Sequence, residues 1–416
     1  MKKVLKMTSL LLVVAAMLIS MVACNGNDPK KNDDSVKEES KNVEESKVVT
    51  DKNDNEETSK DNTEEESKTV ENGKSGEGKT IGISLTSKSL ARTALDEIYL
   101  TKYLTELGYD VSIQYSEGDV TRQVSQFETF VTSGVDGIII SPSDGTALTT
   151  AMELADENDV PVLVYDALIM NSPFVKYYVT DDLFKVGKEQ GDYIVEALGL
   201  EDGEKGPFNL ELFTGSMTDN NAIYFYDGAM SALQPYIDEG VLVVQSGQIT
   251  FAETSTEKWD AANAQTRCDT ILSTYYTDKN LDAALTQNDN LAIGVISSLK
   301  SVGYGTDEKP LPITTGQDCD VSAIKSIIAG EQSMTVFKDI REFASAATYI
   351  IDAMIHGDEV VIEDPGIYNN NVVDVITYQV KPLRLTKDNW YELIIENGFY
   401  TPEDLDMTAE EALEAK

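Results

Sequence analysis

A chain of 416 residues with 73 acidic and 33 basic side chains carries a formal charge of −40. That balance repels phosphate backbones and argues against nucleic acid as a partner. The single histidine, His356, falls at the end of an expected helix (352–357), which argues against Ser-His-Asp or Cys-His catalysis because these need a positioned imidazole, and one histidine cannot make a multi-histidine zinc site.

The chain opens on Lys2, Lys3 and Lys6, then on an apolar run at 9–20 that is too short to span a membrane. Met21-Val22-Ala23-Cys24 follows and resembles a bacterial lipobox, with Met21 where leucine is usual. Residues 1–23 therefore read as a lipoprotein signal peptide and Cys24 as a lipidated N-terminus, an ordinary secretory signal being the alternative. Two acyl chains are what hold a protein stably on a membrane. Residues 25–79 offer only valine among large apolar residues, and no aromatic. Such a stretch cannot offset the entropy of ordering, so 24–79 is expected to be a disordered acidic tether with its ends about 40 Å apart. The leader carries +3 and the tether −7, which leaves −36 for residues 80–416.

From residue 80 onward short apolar strands alternate with helices. Strands are expected at 80–86, 111–115, 137–141 and 160–165, with helices at 93–107, around Val124 to Val131, and at 147–158. On the first helix Leu95, Ile98, Tyr99, Tyr103 and Leu107 form the expected buried stripe, and Gly108 ends it. Continuous apolar strands in this rhythm imply parallel sheets covered on both faces. The rhythm restarts after Asp182, with helices at 183–198, 221–236, 258–275 and 291–301, and strands at 208–213, 241–245 and 283–286. These are too many elements for one compact sheet. The expected fold is α/β, two similar Rossmann-like lobes joined by three crossovers near 180–182, 337–338 and 368–373. The first lobe would comprise 80–181 plus 339–368, the second 182–338 plus 369–405, and 406–416 would be an acidic tail.

The stretch 311–338 concentrates the chemistry. It reads as a strand, a turn ending in Gly316-Gln317-Asp318, a helix, and a strand closed by Lys338. Ligands of open α/β sheets bind beyond the carboxyl ends of strands. Arg92, Asp166, Asn220, Asn221, Asn288, Asp318 and Lys338 all fall at or just past such ends. Helix capping accounts for some Asp and Asn there, but not for the arginine and lysine. Arginine donors, and an amide that both donates and accepts, suit hydroxyl groups. The run Thr277-Asp278-Lys279-Asn280-Leu281-Asp282 lacks the spacing of a calcium loop and reads as a solvated turn. Cys268 and Cys319 read as small buried hydrophobes rather than a disulfide.

The segments KSLARTALDE, ELFTGSMTDNNAIYFYDGAMSAL, NDNLAIGVISSLKSVGYGT and GQD followed by IAGEQSMTVFK together resemble the bacterial sugar-binding proteins of the type I periplasmic fold, in particular xylose-binding and multiple-monosaccharide-binding receptors. The resemblance spans about residues 80–405. It implies that Asp318, Lys338 and Arg92 belong to a sugar site and that Trp259 faces the sugar. It further implies a non-catalytic, monomeric receptor without cofactor or metal, held by its lipid on the extracytoplasmic face of the cell membrane. Such a receptor captures a pentose, a hexose or a larger sugar by hinge closure and delivers it to an ABC permease. Alternatives are a receptor feeding a sensor kinase and a glycosidase using Asp289 and Asp318. The chain departs from that pattern at Thr93, Ala167 and Leu183, where the resembling receptors have tryptophan, arginine and asparagine. A cation and a ring are thus missing from the first-lobe wall unless Lys88 or Phe184 replaces them, and a ligand larger than xylose is expected.

Overall fold

The structure, a computed structural model, describes residues 75–416. The signal peptide, Cys24 and the tether up to residue 74 lie outside the described residues. In chain order the first eight elements are β1 (Thr80–Leu85), α1 (Ala91–Glu106), β2 (Asp110–Tyr115), α2 (Val120–Ser133), β3 (Gly137–Ile140), α3 (Thr149–Glu157), β4 (Val162–Tyr165) and β5 (Tyr177–Asp181). Then follow α4 (Leu183–Ala197), β6 (Phe208–Phe213), α5 (Asn220–Asp238), β7 (Leu242–Val243), α6 (Phe251–Thr254), α7 (Ala261–Tyr275), β8 (Ala283–Thr286), α8 (Asp289–Ser301), β9 (Ile313–Thr314), α9 (Val321–Ile328) and β10 (Met334–Phe337). The chain ends with α10 (Ile340–His356), β11 (Gly366–Asn369), β12 (Asp374–Val380), β13 (Leu383–Thr386) and α11 (Ala409–Glu414).

Two sheets result. The first has the order β2-β1-β3-β4-β5-β12-β11, parallel except for β11. The second has the order β7-β6-β8-β9 and is all parallel. Beside β9 lies β10, whose Val336 donates its N–H to Gly316 O at 3.0 Å, and β10 pairs antiparallel with β13. Both sheets reverse strand order at their first strand, β1 in one and β6 in the other. That places a topological switch point, the usual ligand crevice of doubly wound sheets, in each. The central strands are buried throughout: β3, β4, β8 and β10 have no exposed residue, as parallel strands covered by helices must be.

The chain passes between the sheets three times: after β5, between β10 and α10, and at 381–382 between β12 and β13. The third crossing differs from the sequence reading. There, 369–405 was assigned to the second lobe with the crossing at 368–373, whereas β12 pairs in parallel with β5 over Ile376 to Val380. Residues 374–380 therefore extend the first sheet. Strand β5 itself was not anticipated, since YYVTD is short and follows an irregular stretch. The stripe on α1 also differs: Leu100 and Leu104 are fully buried, while Ile98 is 56% exposed. Buried Arg92 and Asp96 turn that helix toward the cleft, so its apolar face is rotated from the one that hydrophobicity alone selects. Cys268 and Cys319 are free, buried, and packed into different apolar clusters. Among the described residues no helix is long and apolar enough to cross a membrane.

Candidate functional site

A cavity of about 560 Å³ opens where the carboxyl ends of the two sheets meet. The first sheet contributes the segments after β1 (Thr86 to Thr93), after β3 (Pro142, Ser143) and after β4 (Asp166, Ala167). The second contributes those after β6 (Ser216, Asp219), β8 (Asn288), β9 (Gln317, Asp318) and β10 (Lys338), together with Trp259. Of the residues singled out from sequence, Arg92, Asp166, Asn221, Trp259, Asn288, Asp318 and Lys338 line this cavity. Asn220, the first residue of α5, is not among the lining residues. Its neighbour Asn221 is turned inward instead.

Two cations tie the walls together. Arg92 Nη2 lies 3.0 Å from Asp166 Oδ1, Nη1 lies 3.6 Å from Asp318 Oδ1, and Nε lies 3.4 Å from Asp96 Oδ2. Lys338 Nζ lies 2.9 Å from Asp318 Oδ1 and 3.2 Å from Asp181 Oδ2, and donates to Gln317 Oε1 at 2.9 Å. Arg92 and Lys338 are buried, 8% and 3% exposed. A buried cation is tolerated only when paired and hydrogen-bonded, and here carboxylates from both sheets supply the pairing. A further bridge runs from Asn221 Nδ2, which donates to Asp166 O at 2.6 Å. Tyr178 Oη donates in turn to Asn221 Oδ1 at 3.0 Å.

The backbone at these turns is held in the left-handed region. Asp166 has φ 66°, Asp318 97°, Lys258 58° and Trp259 56°. Non-glycine residues enter that region at a cost of order 1–3 kcal/mol, and they cluster at ligand sites. At Trp259 the consequence is direct. The helix expected at 258–275 begins only at Ala261, and the strained 3₁₀ turn Glu257–Trp259 aims the indole into the cleft. Its ring packs edge-on to Phe225, and Nε1 donates to Asp219 Oδ2 at 3.1 Å. Gly215 makes the space: a Cβ there would lie 2.1 Å from the indole.

The charges set the acidities. At Asp318 burial works against ionisation, but Lys338 and Arg92 overcome it and hold the carboxyl below its usual value. Burial likewise works against charge on Lys338, and Asp181 and Asp318 reverse that and raise its pKa. Asp96 is pushed up to about 6 by burial, although Arg92 opposes the shift. Burial and the charge of Asp166 push Asp219 up to about 7, and burial and the charge of Asp318 push Asp320 to about 7. Asp96, Asp181 and Gln317 escaped the sequence reading. A signal existed for one of them, since Asp96 stands four residues after Arg92 on the same helix face.

A pH dependence of stability follows. Asp96, Asp219 and Asp320 have folded pKa values above the unfolded value near 3.9. Between those limits the folded state binds more protons, so stability falls as pH rises. Buried Asp96 alone contributes on the order of 1 kcal/mol between pH 5 and pH 7.5. The ligand-free protein is expected to melt a few degrees higher at pH 5 than at pH 7.5. Thermal unfolding followed by circular dichroism checks this, and equal or reversed midpoints contradict the assigned environments.

The likeness to known proteins covers both sheets. A profile of the periplasmic binding protein domain matches residues 81–359. The multiple sugar-binding periplasmic protein SbpA of Azospirillum brasilense is 47% identical over 322 residues, covering 77% of this chain and 90% of that protein. The multiple sugar-binding periplasmic receptor ChvE of Rhizobium radiobacter is 46% identical over 326 residues, covering 78% and 92%. The crystal structure of an ABC transporter solute binding protein from Clostridium phytofermentans, with bound β-D-glucose, is 42% identical and matches with a TM-score of 0.75, over 79% of this chain and all of that one. The chain thus belongs to the periplasmic binding protein family and has its type I fold.

Proposed function

We propose that this protein is the lipid-anchored, extracytoplasmic sugar receptor of an ABC importer, and that it closes on its ligand by hinge motion between the two lobes. The observation that carries the reading is the cleft itself. Arg92 and Lys338 offer donors, Asp166 and Asp318 offer acceptors, and Trp259 offers a flat apolar face. A pyranose needs all three, because its rim is hydroxyls and its faces are C–H groups. The multiple sugar-binding names of two relatives above 45% identity support the same ligand class. The three crossover segments between the sheets are short enough to serve as the hinge residues of such a closure.

A catalytic reading finds no support in the geometry. Asp289, the second carboxylate of the glycosidase alternative, is fully buried. It accepts from Gln332 Nε2 at 2.8 Å and from Asp320 N at 3.0 Å, and it does not line the cleft. It cannot approach a glycosidic bond bound near Asp318. The relatives, too, are named for binding sugars or solutes.

Lys88 and Phe184, the two residues that could have filled the first-lobe wall, are engaged elsewhere. Lys88 Nζ sits 4.9 Å from the Tyr115 ring centroid, and Phe184 is 43% exposed outside the cleft. Thr93 and Ala167 therefore border open volume. At about 30 Å³ per water the cavity holds roughly 18 waters, more than the dozen heavy atoms of a hexose displace. A hexose or larger sugar fits better than a pentose.

Titration calorimetry of the full chain against common aldoses, ketoses and disaccharides tests the reading. Binding of at least one neutral sugar at about micromolar Kd, near −8 kcal/mol, is expected. Flat titrations throughout would dismiss it. The anchor has its own test. Cys24→Ser is expected to free the protein from the membrane fraction or to block its maturation, and unchanged fractionation of a parent without acyl mass would refute lipidation.

A further inference from the structure

The cavity lining is strongly unbalanced in charge. It contains the carboxylates Glu117, Asp144, Asp166, Asp219, Glu257, Asp260, Asp318 and Asp320 against only three cations, Arg92, Lys258 and Lys338. At the rim, water screens the excess. Deep in the cleft it does not, because low-dielectric walls strengthen every charge. There Arg92 and Lys338 are already committed to Asp96, Asp166, Asp181 and Asp318. Asp219 and Asp320 have no lysine or arginine within ion-pair distance among the described residues, although both line the cavity.

Asp219 is the better placed of the two. Its Oδ1 caps α5 by accepting from Asn221 N at 2.9 Å, and its Oδ2 accepts from the indole of Trp259. Asn221 also bonds to the backbone of Asp166, so Asp166, whose carboxylate is paired with Arg92, and Asp219, which holds the tryptophan N–H, are tied to one residue and line the same cavity. Asp166 from the end of β4, the Asn221 backbone N–H, the Trp259 N–H and Lys338 from the end of β10 are the groups that act on Asp219. The lysine is the weakest influence among them. Among the described residues no group of three or more metal-ligating side chains is arranged to hold a metal ion. Near neutral pH protons partly relieve Asp219 and Asp320, and an organic cation can supply that positive charge in their place.

We propose that the cleft selects its sugar by charge: it favours one bearing an ammonium group, an amino-deoxy hexose being the simplest, seated against Asp166 and Asp219, and it rejects sugars that carry a carboxylate. This rests on the sugar-receptor reading above and narrows its ligand class. An ammonium there makes charge-assisted hydrogen bonds, about twice as strong as neutral ones, to acceptors that otherwise repel each other. A uronate would add another negative charge to the same enclosed space.

Calorimetry of the full chain at pH 7 with D-glucose, D-glucosamine and D-glucuronate decides. If another neutral hexose from the aldose panel binds more tightly than glucose, its own amino and acid derivatives replace these probes. Glucosamine is expected to bind at least tenfold tighter than glucose, and glucuronate at least tenfold weaker. If glucose binds while glucosamine is no tighter, or glucuronate binds as well as glucose, the charge selection is overturned and the receptor reading stands. If neither neutral nor amino sugars bind, both fall. Asp219→Asn is expected to bring the glucosamine-to-glucose ratio of affinities close to one, and an unchanged ratio in a folded variant removes Asp219 from the assignment. Should that variant fail to fold, the native protein answers instead. Its ratio should rise from pH 5 to pH 7 as the cleft carboxylates ionise, and a flat ratio overturns the proposal.

Discussion

Replacing Asp318 by asparagine is expected to raise the Kd for the bound sugar at least tenfold. The carboxylate is lined up by Lys338 at 2.9 Å and Arg92 at 3.6 Å, it faces the cavity, and those cations keep it ionised. A carboxylate accepting from two hydroxyls makes charge-assisted bonds worth about 1.5–3 kcal/mol each. The amide keeps the shape but loses the charge and one acceptor. Asparagine is also the right probe for the backbone. Asp318 has φ 97°, and asparagine tolerates positive φ better than alanine does. Asp318→Ala would mix lost binding with backbone strain. The asparagine variant also leaves two buried cations short of a partner, so its melting temperature will fall as well, and affinity must be read at a temperature where the fold is intact. An unchanged Kd in the folded variant would rule out Asp318 as a ligand contact.

How such a site could be read from sequence differs residue by residue. Asp166, Asp318 and Lys338 were legible because each terminates a short apolar run, and strand ends in a parallel sheet gather at one edge. Arg92 stood out because helix capping does not account for an arginine just past a strand end, and the structure explains it by Asp96, Asp166 and Asp318. Trp259 was legible only through the resemblance. Periodicity placed it inside a helix, and nothing in 258–275 announces that Lys258 and Trp259 adopt positive φ. Asp181 was hidden for a topological reason. It ends β5, whose pairing partners β4 and β12 lie on either side of it, and β12 comes from nearly two hundred residues further along. A strand that exists through long-range pairing leaves little local pattern. The same partner explains the misplaced third crossover. Residues 374–377 alternate exposed and buried and the rest of the strand does not, which is compatible with either sheet, and only the pairing decides.

Lys338→Met is expected to destabilise the ligand-free protein by about 3–5 kcal/mol, the range for removing one partner of a buried ion pair, and to weaken sugar binding at the same time. Lys338 is 3% exposed and Asp181 2% exposed. With the ammonium gone, Asp181 loses its cation in a place where Oδ1 already has no hydrogen-bond partner. Asp318 keeps only the longer contact to Arg92. Methionine fills similar volume, so the loss reports charge rather than a cavity. The pH dependence separates this account from a packing defect. Lysine's raised pKa means that its own contribution persists throughout the neutral range and fades only at strongly alkaline pH. In the variant, the carboxylates left behind can escape their burden by taking up protons, Asp181 first because burial already raises its pKa. The deficit relative to the native protein is therefore expected to shrink as pH falls from 7 to 5. Urea titrations at the two pH values measure it, and a deficit that is independent of pH would mean that Lys338 acts through packing rather than as the clasp between the lobes.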